Sequence, residues 1–218
     1  MTFSHNELLK IPHTLSEPRF ATYLQHCNND KMEALKLYRW NLEISSALVI
    51  PIHFLEISLR NAAVERLDIV HTPNWARNNG FIQALPNPKK GYSPRTNLQA
   101  VARQQPTAGK IVAELKFVFW EKLFTSRHDV VLWNKHINNI FPFAPKTLTT
   151  AELRSQIHDD TFIIRKLRNR ISHHEPIFTR NLQEDYEKIK TLVSWRDDST
   201  AAWMENTQTV TRLITEKP

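Results

Sequence analysis

The sequence predicts an all-α fold: a helical bundle led by one long N-terminal helix. Glycine is scarce, three residues in 218, whereas sheet-rich and Rossmann-type folds use it for tight turns and phosphate loops. Apolar residues recur at three- and four-residue spacing along several long stretches, the signature of amphipathic helices. No segment alternates with the two-residue period of a half-buried strand, and no internal repeat or low-complexity tract divides the chain. With 41% hydrophobic and 23% charged residues, the composition is that of an ordinary globular protein. A single domain over 1–218 is expected.

Asn29 and Asp30 are short polar side chains suited to capping a helix start. From there to about Val70 the positions Leu35, Tyr38, Leu42, Val49, Ile52, Leu59, Ala63, Leu67 and Val70 trace one apolar stripe. The helix is expected to kink or break near Pro51, whose ring removes a backbone bond. Residues 72–108 hold five prolines and two glycines and read as a long, partly irregular connection, with a short helix near 96–104. A second helix is expected over about 109–125, its wide apolar face suited to a central place, and a third over 128–141, stopped by Pro142 and Pro145. The fourth opens near 148, with Thr149 or Thr150 as cap and Glu152 in its first turn. It must end by about His174, because Pro176 disfavours helix at Glu175. Two more helices follow, over about 181–195 and 198–214.

Net charge is +7, with pI near 9.6, which leans toward an anionic partner. Between His71 and Ala113 there is no acidic residue, while Arg77, Lys89, Lys90, Arg95, Arg103 and Lys110 all fall there. That stretch is either a solvated basic loop or a phosphate-contacting one. The single cysteine, Cys27, excludes an intramolecular disulfide framework and fits a reducing, cytoplasmic setting. The opening "MTFSHNELLKIPH" is polar and broken at Pro12, unlike a leader. The most apolar stretch, "SALVIPIHFLEIS", is short and carries His53 and Glu56, so it is expected to be a core helix and not a membrane span. No GxGxxG or Walker-type loop is present, and nothing supports a Ser-His-Asp triad, paired glycosidase carboxylates or a zinc finger. No metal or other cofactor is expected.

Residues 165–178, "RKLRNRISHHEPIF", crowd cations, an asparagine and two histidines at the end of the fourth helix. Cations in a last turn favour the helix dipole, so spacing alone favours a solvated helix end. The stripe Leu153, Ile157, Ile164, Leu167, Ile171 defines the core side, which puts Asn169 and His173, four residues apart, on the outer face with Phe162. Arg168 falls at the edge of the core stripe, about 140° from His173. On a regular helix the two cannot form one tight pair. Either the last turn distorts, or a second copy of the helix completes the site.

The run from Arg168 to His173 has the form R-N-x-x-x-H, and "LRNRISHHEPIF" resembles the signature segment of the Abi-like (abortive infection, AbiD/AbiF) family of the HEPN superfamily. "YRWNLEISSALVIPIHFLEISLRNAA" (38–63) is similar to that family's first long helix, and "GKIVAELKFVFW" (109–120) to its central segment. The likeness spans roughly residues 15–195. It implies a HEPN-type bundle and a metal-independent endoribonuclease acting in phage defence or as a toxin, with RNA as substrate and a homodimer whose motifs face one another. An RNA or protein antitoxin is a further partner of such systems. The roles that follow are His173 as general acid/base, Arg168 as phosphate clamp and Asn169 as the group that orients His173 or the ribose. Arg170, His174 and Glu175 are supporting candidates, as are Arg60 and Asn61, which brace the motif helix or touch RNA; Lys89, Lys90, Arg95, Arg103 and Lys110 are candidate backbone contacts. The bland account of Glu56 and Arg60 is an i,i+4 ion pair. Among the six tryptophans, Trp75 is the candidate base-stacking residue and the others are expected in the core. A HEPN domain that has lost activity, and serves as an RNA-binding module, is the competing reading. A DNA-binding helical protein is a weaker one, since no helix-turn-helix is apparent.

Overall fold

The computed structural model describes residues 3–218, and among them every regular element is helical. Two short helices, α1 (His5–Leu15) and α2 (Glu17–His26), lead into α3 (Lys31–His71), a single helix of 41 residues. Asp30 caps it, accepting from the N–H groups of Met32 and Glu33. Pro51 does not break it. The ring costs about 3 kcal/mol in a helix interior, but Pro51 is buried among Leu48, Ile52 and Leu55, and each such buried apolar side chain contributes about 1.5–3 kcal/mol. By length and composition α3 is also apolar enough to cross a membrane. Here its buried side chains, from Ala34 and Leu35 to Ala63 and Leu67, form the centre of the core. Leu42 and Val49, expected on the core stripe, are instead each 52% exposed, because the buried face follows Ile44, Leu48, Ile52, Leu55 and Leu59.

Residues 72–107 are more ordered than their composition suggests. A 3₁₀ turn (Trp75–Arg77), α4 (Asn79–Ala84) and α5 (Pro94–Gln104) follow α3. Two of the arginines tie this segment together: Arg77 donates to the carbonyls of Ala102 and Gln105, and Arg95 to those of Gln83 and Leu85. The expected helix at 109–125 is two helices, α6 (Ala108–Glu114) and α7 (Phe117–Leu123). Leu115 and Lys116 both adopt extended backbone between them. The break re-aims the chain so that Phe117, Phe119, Trp120, Glu121 and Leu123 are all buried, which one straight amphipathic helix cannot do. The expected helix at 128–141 is replaced by a 3₁₀ turn (Ser126–His128), a π-helical turn (Asp129–Trp133) and the short α8 (Ile137–Ile140). The π-turn carries Leu132 and Trp133 inward and leaves Val130 and Val131 exposed.

α9 (Thr150–Ser172) begins with a capping box: Thr149 accepts from the Glu152 N–H, and Glu152 accepts from the Thr149 N–H. α10 (Leu182–Arg196) follows, and the last expected helix is split at Gln208 and Thr209 into α11 (Asp198–Thr207) and α12 (Val210–Thr215). The turn returns α12 to α3, where the Trp40 indole donates to the Leu213 carbonyl (2.6 Å). α2, α7, α9, α10, α11 and α12 all pack on α3. Trp75 is fully buried against Phe81, Phe119 and Trp120, so it cannot serve as a base-stacking platform; only Trp203 is largely exposed among the tryptophans.

His128 is buried, and burial chiefly, with Arg127 adding to it, holds its imidazole down to about 4 from an ordinary 6.5. The unfolded chain therefore binds this proton near pH 6.5 and the native state only near pH 4. The stability His128 contributes is complete above the unfolded value and lost as pH falls through that window, about 3 kcal/mol in all. Urea unfolding at about pH 7 and about pH 4.5 should show this loss, and His128→Gln should flatten it.

Candidate functional site

α9 stays regular to Ser172, with His173 as its C-cap. The reversal comes one residue later. His174 takes a left-handed conformation (φ 56°), its N–H donates to Ile171 O (3.1 Å), and the Glu175 N–H donates to Arg170 O (2.8 Å). These two bonds are a Schellman motif, which satisfies the orphan carbonyls of the last turn. The last turn therefore does not distort before Pro176, and Arg168 and His173 stay on different faces.

The chain after the motif is fastened to the core. The Ile177 N–H donates to the buried Asn41 Oδ1 on α3 (2.8 Å). Arg180 grips Asp185 with two bonds (2.8 and 2.7 Å), and Lys217 donates to Phe178 O (2.9 Å). Arg170 and Glu175 belong to this fastening. Arg170 donates to Pro176 O (2.5 Å) and pairs with Glu175 at 3.5 Å. Both side chains staple the turn that holds His173 and His174 in place.

Arg168 is exposed and forms no ion pair among the described residues. It opens into a cleft of about 240 Å³ between α3 and α9, whose polar side chains are His53, Glu56, Arg168 and Ser172, with Val49, Ile52 and Ile171 as the apolar wall. His53 and Glu56 lie on α3 at helical spacing from Val49, so one face of that helix supplies half the cleft. His173 is exposed but does not line it, and neither does the half-buried Asn169. A single chain thus presents two surfaces: a cleft holding a guanidinium, an imidazole and a carboxylate, and a helix end carrying Asn169, His173 and His174. On the outer face of α9 Phe162 lies under two cations, Lys166 (4.3 Å) and Arg165 (5.3 Å).

The remaining predicted residues scatter. Glu56 and Arg60 do not form the ion pair their spacing allows; Glu56 faces the cleft, and the Arg60 Nε is buried without a partner. Asn61 is exposed on the next step of α3. Lys89, Lys90, Arg103 and Lys110 are exposed, whereas Arg95 is half-buried and engaged with backbone carbonyls. Among the described residues no group of three metal-ligating side chains gathers. Sequence reasoning missed His53 as a neighbour of Arg168. Its one available signal was its place four residues from Val49 and three from Glu56 on a single helix face; which face meets α9 is decided by packing.

The fold and this cleft define an all-α bundle with a polar groove, bearing an arginine, a histidine and a glutamate, between its two longest helices. Compared with protein-family models, with curated proteins and with solved structures, the chain matches none.

His174→Gly should raise stability by about 1 kcal/mol, read from thermal or urea unfolding, because a left-handed C′ position favours glycine. Asn41→Ala should lower it by about 1–3 kcal/mol by stranding the buried Ile177 N–H. Hydrogen exchange should then quicken at residues 175–180, where the anchor is lost.

Proposed function

We propose that this chain is a metal-independent endoribonuclease of the HEPN type, related to the Abi-like abortive-infection proteins and acting in the cytoplasm as a toxin or phage-defence protein. The observation that carries the reading is the junction of α9 with α3: an unpaired Arg168 in a cleft with the His53 imidazole, and the exposed His173 at the same helix end. These are the side chains that RNA cleavage by the 2′-hydroxyl needs. One imidazole takes the 2′-OH proton as the 2′-oxygen attacks phosphorus. The bond from phosphorus to the 5′-oxygen breaks, and a second acid gives that oxygen a proton. The products are a 2′,3′-cyclic phosphate and a 5′-hydroxyl. Arg168 holds the charge that builds on the phosphorane oxygens, as a fixed and always-charged fork. His173 transfers one proton, Asn169 orients it or the ribose, and His53 is the imidazole placed for the other transfer.

The separation of His173 from the Arg168 cleft supports a second copy of the chain as partner. In a homodimer with two-fold symmetry, the His173 end of one protomer enters the Arg168 and His53 cleft of the other, and each site is composite. The exposed Lys89, Lys90, Arg103 and Lys110 supply further contacts to the RNA backbone. An RNA or protein antitoxin that covers this basic surface would restrain the activity.

Purified protein should cut RNA in EDTA, leaving cyclic-phosphate ends. His173→Ala should slow cleavage by about 10²–10⁴-fold and Arg168→Ala by about 10²–10³-fold. Mixing these two inactive variants one to one should restore about a quarter of wild-type activity, since half the dimers are mixed and one of their two sites is whole. No restoration would place both residues in one protomer's site. RNA retarded on a gel but left uncut by the wild type would make the chain a non-catalytic RNA-binding module.

A further inference from the structure

The cleft between α3 and α9 holds one group that phosphate binding does not call for. Glu56 lines it together with Arg168 and His53. Its carboxylate makes no ion pair or hydrogen bond among the described residues, and its oxygens are not sealed from solvent. Arg60, the partner that spacing offers, has its Nε buried without a partner instead. A free carboxylate close to Arg168 weakens the hold of that guanidinium on a phosphate, since like charges repel. Its presence fits a substrate that brings hydrogen-bond donors into the same cleft, because an ionised carboxylate accepts and cannot donate.

In RNA such donors lie on the edges of unpaired bases. Guanine alone presents two of them side by side on its Watson–Crick edge, N1–H and the N2 amine, spaced to match two carboxylate oxygens. Adenine and cytosine offer one amine beside a bare ring nitrogen that repels the second oxygen, and uracil offers one N–H between two carbonyls. The rest of the cleft suits a base. Val49, Ile52 and Ile171 give an apolar wall for its face. The volume, about 240 Å³, takes roughly ten non-hydrogen atoms by proportion to an engineered cavity of about 150 Å³ that holds benzene, which is about one purine. His53 and Glu56 are three residues apart and so are neighbours on one face of α3.

We propose that this cleft is selective for guanosine. Glu56 accepts from N1–H and the N2 amine, the ribose lies at the mouth beside His53, and Arg168 holds the 3′-phosphate. RNA is then cut on the 3′ side of guanosine. The position of the cut rests on the nuclease reading given above, whereas the base site can be tested without any cleavage.

The test is calorimetric titration of the full chain with guanosine, inosine and adenosine 3′-monophosphates. The guanosine nucleotide should bind about 5- to 150-fold more tightly than the adenosine one, the discrimination of one bidentate pair. Inosine, which keeps N1–H and lacks the amine, should fall between them. Glu56→Gln should reverse the order, because an amide pairs one acceptor and one donor with adenine's N6 amine and N1. Its melting temperature should equal that of the wild type, since the carboxylate holds no partner in the fold. Arg168→Ala should weaken all three nucleotides alike. In EDTA, an oligoribonucleotide with a single guanosine should be cut after that residue. The proposal is overturned if the three nucleotides bind alike or not at all. It is overturned equally if Glu56→Gln shifts all three by one factor, as a carboxylate that only repels phosphate or positions His53 would do. Guanosine-selective binding that Glu56→Gln abolishes, with no RNA cut, would uphold the base site and remove the nuclease reading. Cleavage at every base alike would overturn the base site and leave that reading in place.

Discussion

One helix of 41 residues, about 60 Å long at 1.5 Å per residue, sets the problem that the rest of the chain solves. A helix of that length with apolar side chains on much of its surface cannot be covered by one neighbour. α2, α7, α9, α10, α11, α12 and the π-turn each cover part of it. Buried polar ties mark these junctions. Trp40 reaches Leu213, Asn41 takes the N–H of Ile177, and Arg66 donates to Leu132 O at 2.8 Å. Each satisfies a backbone group that burial would otherwise strand. The same contacts fix which residues of α3 meet α9, and so they bring His53 and Glu56 to Arg168.

α9 is held from two sides, and this keeps its C-terminal end in register. On its core side Arg165 pairs with Glu121 of α7, a carboxylate with no exposure that also meets Lys122 at 2.9 Å. A buried carboxylate is stable only while its partners stay, so the pair locks the rotation of α9 against α7. Beyond Ser172 the Schellman turn and the Asn41 anchor redirect the chain at once. His173 and His174 therefore stand at the tip of a rigid helix and not on a loose loop. A helix tip held this firmly leaves Arg168 in its own cleft and His173 outside it, a division that makes a second surface part of the chemistry proposed here.

The starts of α3 and α9 were legible because capping is local. Asp30, and Thr149 with Glu152, satisfy N–H groups within three residues of themselves, and no other part of the chain need be known. The end of α9 was legible for the same reason, since Pro176 bars helix just before it. The break at Leu115 and Lys116 was not legible: the apolar period runs through it without a glycine or proline, and only the need to bury Phe117, Phe119, Trp120, Glu121 and Leu123 together calls for it. The π-turn at Asp129 and the split at Gln208 have the same origin. Trp75 misled because it sits among cations in sequence, while in space it joins Phe81, Phe119 and Trp120. Arg77 and Arg95 misled likewise, their charge serving backbone carbonyls of their own segment.

By itself the sequence determined the helical class, the two long helices with their caps, and the placing of Asn169 and His173 on a face apart from Arg168. All of these follow from interactions within a few residues or from the fixed turn of a helix. Only the tertiary structure decided that α3 runs unbroken through Pro51, that His53 rather than His173 shares a cleft with Arg168, and that His128 is buried. Those outcomes depend on which surfaces exclude water together, and packing between residues distant in sequence is not written in any local pattern.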